Sequence, residues 1–269
     1  MERNAKSMVS MNDFHEWFLN YIRGFEADNG MLEPLLALKR EHSYNVSREA
    51  GCLAADLSFG PEKTLQAEIL GLLHDVGRFP QFRDYGTFYD AASIDHGELG
   101  WKTVLESRVL EPLDEGDRLA ILDGIRYHNR KEIPRQTRPS SLGMVRLIRD
   151  ADKLDVFELV HKHLEEGRIR ELLPRIPETT EVSENLVEAL IQTGRASYSQ
   201  VRSVGDFLLV QLSWVFDMNY PPSFRKVLDR GVIERIERRL PPGSTACEVV
   251  ERARAFARSS ALVEEGRSR

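Results

Sequence analysis

Residues 67 to 78, Ala-Glu-Ile-Leu-Gly-Leu-Leu-His-Asp-Val-Gly-Arg, form an apolar stretch that ends in an ionisable pair, His74-Asp75. Leu65, Ile69, Leu72 and Val76 recur at helical spacing, so the stretch reads as a helix with one face turned into a core. Gly77 follows as a residue suited to the left-handed conformation that closes a helix. His74 and Asp75 then stand on the last turn beside buried Leu72 and Leu73. A carboxylate is costly to bury unless it is paired or bound to a metal. Any fold open to this chain must supply Asp75 with compensation.

Nearly every other segment also has helical rather than alternating periodicity, which points to an all-α fold. Phe14, Trp17, Phe18, Tyr21, Ile22 and Phe25 make an apolar stripe over residues 12 to 27. Residues 34 to 58 read as a long helix opened by Pro34, with His42 among Leu35, Leu38, Val46, Ala50 and Leu53. Residues 78 to 92 read as a loop rich in aromatics and arginine. Ser93 is a candidate cap for the next helix, with Asp95, Glu98 and His96 in its first turn. Helices follow at 115 to 129, where Ile121, Ile125 and His128 share a face, and at 139 to 166. In the latter, Asp152 falls within the stripe Val145, Ile148, Val156 and Leu159. Beyond Gly167, further helices are expected at about 183 to 193, 200 to 219, 222 to 240 and 244 to 259. The expected organisation is a core over residues 12–165 and a helical extension over 166–259 packed on it, with tails at 1–11 and 260–269.

The chain has 269 residues, ample for a proper core. Its formal charge of -6 argues against a dedicated nucleic-acid surface. No apolar run approaches the length of a membrane span, the first residues lack a signal-peptide core, and Cys52 and Cys247 are isolated. A cytoplasmic protein is expected, with a homo-oligomer open as an option.

His42, His74, His96 and His128 fall on expected core faces or beside them at helix starts, and Asp75 and Asp152 join them. Buried together in one bundle, these groups would leave many nitrogens and oxygens unsatisfied unless a cation collected them. His161 and His163 flank Lys162 at a charged helix end and read as solvated; His15 stands apart from the set.

The order His42, His74-Asp75, His96, His128, Asp152 resembles that of the HD-domain superfamily of metal-dependent phosphohydrolases. The His-Asp pair, the glycine two residues after Asp75 and the Asp-Ala-Asp-Lys around Asp152 carry the likeness, which covers about residues 34 to 160. It implies an HD-domain-like helical bundle with the C-terminal helices packed on it. The longer, histidine-rich form present here implies two divalent transition-metal ions. His42, His74, Asp75 and Asp152 would hold one ion and His96 and His128 the second, with Asp75 bridging. The Gly-Tyr-Pro signature and extra histidine of the cyclic-di-GMP phosphodiesterase branch are absent.

Imidazole and carboxylate ligands suit Fe or Mn first, with Ni, Co and Zn also accommodated. Two such ions can lower the pKa of a bridging water and provide hydroxide for attack on phosphorus. Asp75 and Arg78 are the expected catalytic residues, and Arg78, Arg83 and Lys153 the candidates for substrate phosphate. The implied activity is hydrolysis of a phosphate ester or anhydride in a nucleotide or small phosphorylated metabolite. Two alternatives share the ligand set: a mixed-valence di-iron oxygenase of the same superfamily, and a non-catalytic nucleotide-sensing module.

Overall fold

The computed structural model describes residues 10–263, and the all-α expectation holds: no β-strand occurs among the described residues. The ends of the expected tails, residues 1–9 and 264–269, lie outside that range. Within it, helices extend further than the sequence indicated, from Met11 at one end and to Ala261 at the other. The chain divides into two compact units, Met1–Ala151 and Asp152–Arg269. No helix among the described residues is long and apolar enough to cross a membrane.

The first unit contains α1 (Met11–Arg23), α2 (Pro34–Asp56), α3 (Pro61–Leu73), α4 (Arg78–Tyr85), α5 (His96–Ser107), α6 (Glu115–Tyr127) and the start of α7 (Leu142–Glu165). α1 buries Phe14, Phe18 and Ile22, and its Tyr21 hydroxyl donates to the Val76 carbonyl at 3.0 Å. That bond ties α1 to the turn immediately after Asp75.

α2 and α3 approach closely because small residues line their seam. A β-carbon on Gly71 would lie 2.5 Å from Ser47 Cα and 2.7 Å from both Ser47 N and Val46 O. Ser47 Oγ donates to the Glu68 carbonyl at 2.7 Å across the same seam. This packing sets the distance between the helix that carries His42 and the helix that ends before His74.

Gly77 has φ -64, an ordinary right-handed value, which corrects the expected left-handed cap. Glycine is needed there for closeness: a β-carbon would collide with the His96 carbonyl and lie 2.6 Å from Gly100 N, both on α5. The expected loop after it is corrected too. Residues 78–85 form α4, in which Pro80 is tolerated in the first turn and Phe79 and Gln81 are buried. A 3₁₀ turn at Asp90–Ala92 follows, and Asp95 rather than Ser93 caps α5, accepting from Glu98 N at 3.0 Å. A second 3₁₀ turn, Pro139–Ser141, precedes α7.

The second unit holds the remainder of α7 with α8 (Ile169–Leu172), α9 (Glu184–Thr193), α10 (Val204–Val215), α11 (Pro221–Asp229), α12 (Val232–Glu237) and α13 (Ala246–Ala261). The single helix expected over 222 to 240 is two, broken at Gly231, whose φ of +60 is left-handed. Buried Asp206 organises the start of α10, accepting from Ser183 N and Oγ at 2.7 Å each and from Arg202 N at 2.9 Å. His161 and His163 are both buried, contrary to the solvated reading: His161 continues the stripe of Leu154, Phe157 and Val160, and His163 lies on nearly the opposite face of α7, with Nδ1 2.8 Å from the Leu159 carbonyl.

Two outcomes follow from these contacts. Gly71→Ala should destabilise the first unit by about 1–3 kcal/mol, the usual cost of overpacking, in denaturant unfolding. Burial first, and the Arg235 charge next, pull the His161 imidazole down from 6.5 to about 4. The unfolded chain therefore takes up that proton first on acidification. The His161 contribution is complete above about pH 6.5 and is lost as pH falls towards 4. His161→Gln should flatten that part of the profile of unfolding midpoint against pH.

Candidate metal centre

All four imidazoles expected as ligands are buried in one cluster with Asp75, supplied by α2, the turn after α3, the start of α5 and the end of α6. Their rings run in sequence, with centroids 5.1 Å apart for His42–His74, 5.0 Å for His74–His128 and 4.9 Å for His96–His128. Asp75 is at the centre and its two oxygens divide the set. Oδ2 lies 3.6 Å from His42 Nε2 and 3.7 Å from His74 Nε2; Oδ1 lies 3.4 Å from His96 Nε2 and 3.5 Å from His128 Nε2. His74, Asp75 and His128 offer ligand atoms within 4.8 Å of one another, and so do His42, His74 and half-buried Asp152. Asp152 is carried on α7, inside which the division between the two units falls.

The hydrogen bonds on the far side of each ring decide which nitrogen faces inward. His74 Nδ1 is 2.7 Å from the Gly71 carbonyl and His128 Nδ1 is 2.8 Å from the Ile125 carbonyl. A carbonyl only accepts, so Nδ1 carries the proton and, in the neutral ring, Nε2 carries the lone pair. His96 Nδ1 is held in the same way by the Asp90 carboxylate at 2.7 Å. Burial first, then the charge of Arg78, push His96 down to about 4, which keeps its ring neutral. His96 Nε2 and His128 Nε2 meet at 3.0 Å, and with both rings in the neutral form their lone pairs converge on each other and on Asp75 Oδ1. Converging lone pairs beside a carboxylate repel unless a cation lies among them. The donor set therefore fits a divalent metal, and mixed imidazole and carboxylate ligation suits transition ions.

The charge on Asp75 is also compensated directly. Burial alone would raise its carboxyl, but opposing charges, Lys39 foremost, hold it well below the usual carboxylate range. Lys39 Nζ donates to Asp75 Oδ2 at 2.7 Å, and Arg78 Nε lies 3.5 Å from Oδ1. Arg78 Nη1 donates to the Phe88 carbonyl at 2.5 Å, to Gln81 Oε1 at 2.9 Å and to Asp90 Oδ1 at 3.1 Å. Its buried Nε has no hydrogen-bond acceptor. The Phe88 ring lies against both cations, 5.8 Å from Lys39 Nζ and 5.7 Å from Arg78 Cζ.

Of the other two cations expected near substrate, Arg83 is exposed, bonds Asp84 at 2.6 Å and 3.0 Å and lies over Phe25. Lys153 donates to Asp217 at 2.6 Å. Sequence reasoning missed Lys39, Asp90, Asn129 and Arg149. Lys39 precedes His42 by one helical turn, a spacing that could have drawn attention to it. Asn129 donates to Asp90 Oδ2 at 3.1 Å and Asp95 Oδ1 at 3.0 Å, and buried Arg149 donates to the carbonyls of His128 and Arg130. No local pattern marks these long-range partners.

Residues 40–157 match the model of the HD domain family, a span that includes every member of the cluster. No curated protein and no solved structure matches the chain.

Added Mn²⁺ or Zn²⁺ should raise the unfolding midpoint of protein stripped by a chelator. A metal at about a hundred times its dissociation constant contributes roughly 2.7 kcal/mol. Asp75→Ala should abolish the rise and the metal content. Partly exposed Lys39 can then turn to water, so the metal-free fold should be retained.

Proposed function

From the match of residues 40–157 to the HD domain family together with this geometry, we propose that the chain is a metal-dependent phosphohydrolase acting on a phosphate ester or anhydride of a nucleotide or small phosphorylated metabolite. The observation that carries this reading is the division of the Asp75 oxygens between two imidazole pairs, with Lys39 and Arg78 alongside. In this reading two divalent ions would share Asp75 as a ligand. His42, His74 and Asp152 would hold one of them, and His96 and His128 the other. When bound, the ions supply Lewis acidity, which makes a water nucleophilic near neutral pH and offsets charge developing on a phosphoryl group.

The remaining work falls to the chain's own side chains. Arg78 is fixed through Nη1 by Gln81, Asp90 and the Phe88 carbonyl, leaving Nε as a donor for a phosphoryl oxygen. Lys39 supplies a second positive charge at the Asp75 edge, and its side chain is partly open to solvent. The Phe88 ring offers an apolar face between these cations for the organic part of the substrate. Arg83 and Lys153 are outer contacts in this scheme, their charge offset by Asp84 and Asp217.

A panel of phosphomonoesters, phosphodiesters and nucleoside polyphosphates, tried with Mn²⁺, Fe²⁺, Co²⁺, Ni²⁺ and Zn²⁺, tests the proposal. Hydrolysis of at least one class is expected, abolished by His74→Ala and by Asp75→Ala. Lys39→Met should lower kcat/KM roughly ten- to a hundredfold, the value of a hydrogen bond to a charged group. Failure across the whole panel would overturn the reading. Substrate-dependent oxygen uptake by the iron-loaded protein, with no phosphate released, would assign the same ligands to an oxygenase.

A further inference from the structure

Asp90, which is not itself among the candidate ligands, contacts both a candidate metal ligand, His96, and the candidate phosphate-binding Arg78. It lies in the 3₁₀ turn between α4 and α5, where nothing in the local sequence distinguishes it from a surface aspartate. Its side chain is one-third exposed, yet it is heavily engaged. Oδ2 accepts from His96 Nδ1 at 2.7 Å and from Asn129 Nδ2 at 3.1 Å; Oδ1 accepts from Gln81 Nε2 at 2.8 Å and Arg78 Nη1 at 3.1 Å.

Each of these partners is itself held from another direction. Gln81 is fully buried and also donates to the Ile94 carbonyl at 2.9 Å, while Asn129 also bonds Asp95, the cap of α5. The carboxylate is thus held in place from both sides. Of the inward-facing rings, His74 and His128 are oriented by the carbonyls of Gly71 and Ile125, whereas His96 depends on Asp90.

We propose that Asp90 is a positioning residue that holds His96 with Nε2 inward, so that one of the two metal sites depends on Asp90 and the other does not. This rests on the dinuclear reading above. A carboxylate behind a metal-bound imidazole raises the ligand's basicity and fixes its tautomer, and removing such a partner ordinarily costs about 10–100-fold in metal affinity. Asn is the informative replacement. It keeps the shape of the side chain but turns one oxygen into an NH₂, which must then face donors whichever way the amide is flipped.

The test is calorimetric titration of Mn²⁺ into metal-free, full-length protein, wild type against Asp90→Asn, Asp90→Glu and His96→Ala, with unfolding midpoints measured alongside. Wild type should take up two equivalents. Asp90→Asn should keep one at wild-type affinity and bind the other about 10–100-fold more weakly, as His96→Ala should more severely. Asp90→Glu should recover part of the loss. Unaltered binding of both equivalents by Asp90→Asn, or equal weakening of both, overturns the inference while leaving the metal centre standing. Fewer than two equivalents in the wild type removes the dinuclear reading and this inference together. Ring-nitrogen NMR of metal-free wild type gives an arm that needs no variant: the His96 proton is expected on Nδ1, and finding it on Nε2 overturns the proposal.

Discussion

A single buried carboxylate sets the terms for the first unit. Asp75 is only 2% exposed and stands among Leu72, Leu73, Val76 and Phe79, all fully buried. An isolated charge in such surroundings would cost many kcal/mol or be neutralised by protonation. Its environment does the opposite and favours the ionised form, through Lys39 first and Arg78 beside it. The helices are spaced accordingly. The small-residue seam at Gly71 brings α2 against α3, and Gly77 lets the chain after Asp75 press on α5. The apolar core and the polar centre are the same piece of packing.

That coupling explains what could be read from the sequence. Helix periodicity, the apolar run ending at His74-Asp75 and the inward placement of His42, His96 and His128 were legible from the sequence. An inward polar residue stands out against an apolar stripe. Boundaries were less legible where a competing turn won. Gly231 splits one expected helix into α11 and α12, and Phe79 with Phe82 at helical spacing gives α4 where arginines and aromatics suggested a loop. The role of Gly77 was misread because sequence shows that a side chain is missing but not whether a dihedral or a neighbour requires it.

The supporting residues were hidden for a different reason. Lys39, Asn129 and Arg149 act through partners 19 to 39 positions away, Asp90 through partners 6 to 39 positions away, and each looks locally like an ordinary polar residue. His161 and His163 show the converse error. The charged end of the helix suggested exposure, although α7 is buried on the faces that carry both rings. Burial of a polar side chain is a property of the whole face it belongs to, and flanking charge is a poor guide to it.

The carbonyls that receive His74 and His128 both lie three residues earlier in the chain, at Gly71 and Ile125. Each ring is therefore aimed by its own helical turn, within a four-residue stretch, and not by a distant element. Much of the rotational freedom that these two side chains could lose on capturing an ion is given up when their helices end. His96 is anchored instead to Asp90, six positions away in a separate turn, and Asp90 is itself held by Arg78, Gln81 and, from 39 positions away, Asn129. A centre built in this way combines two rings preset by local geometry with one that is correctly aimed only after the surrounding tertiary structure has closed.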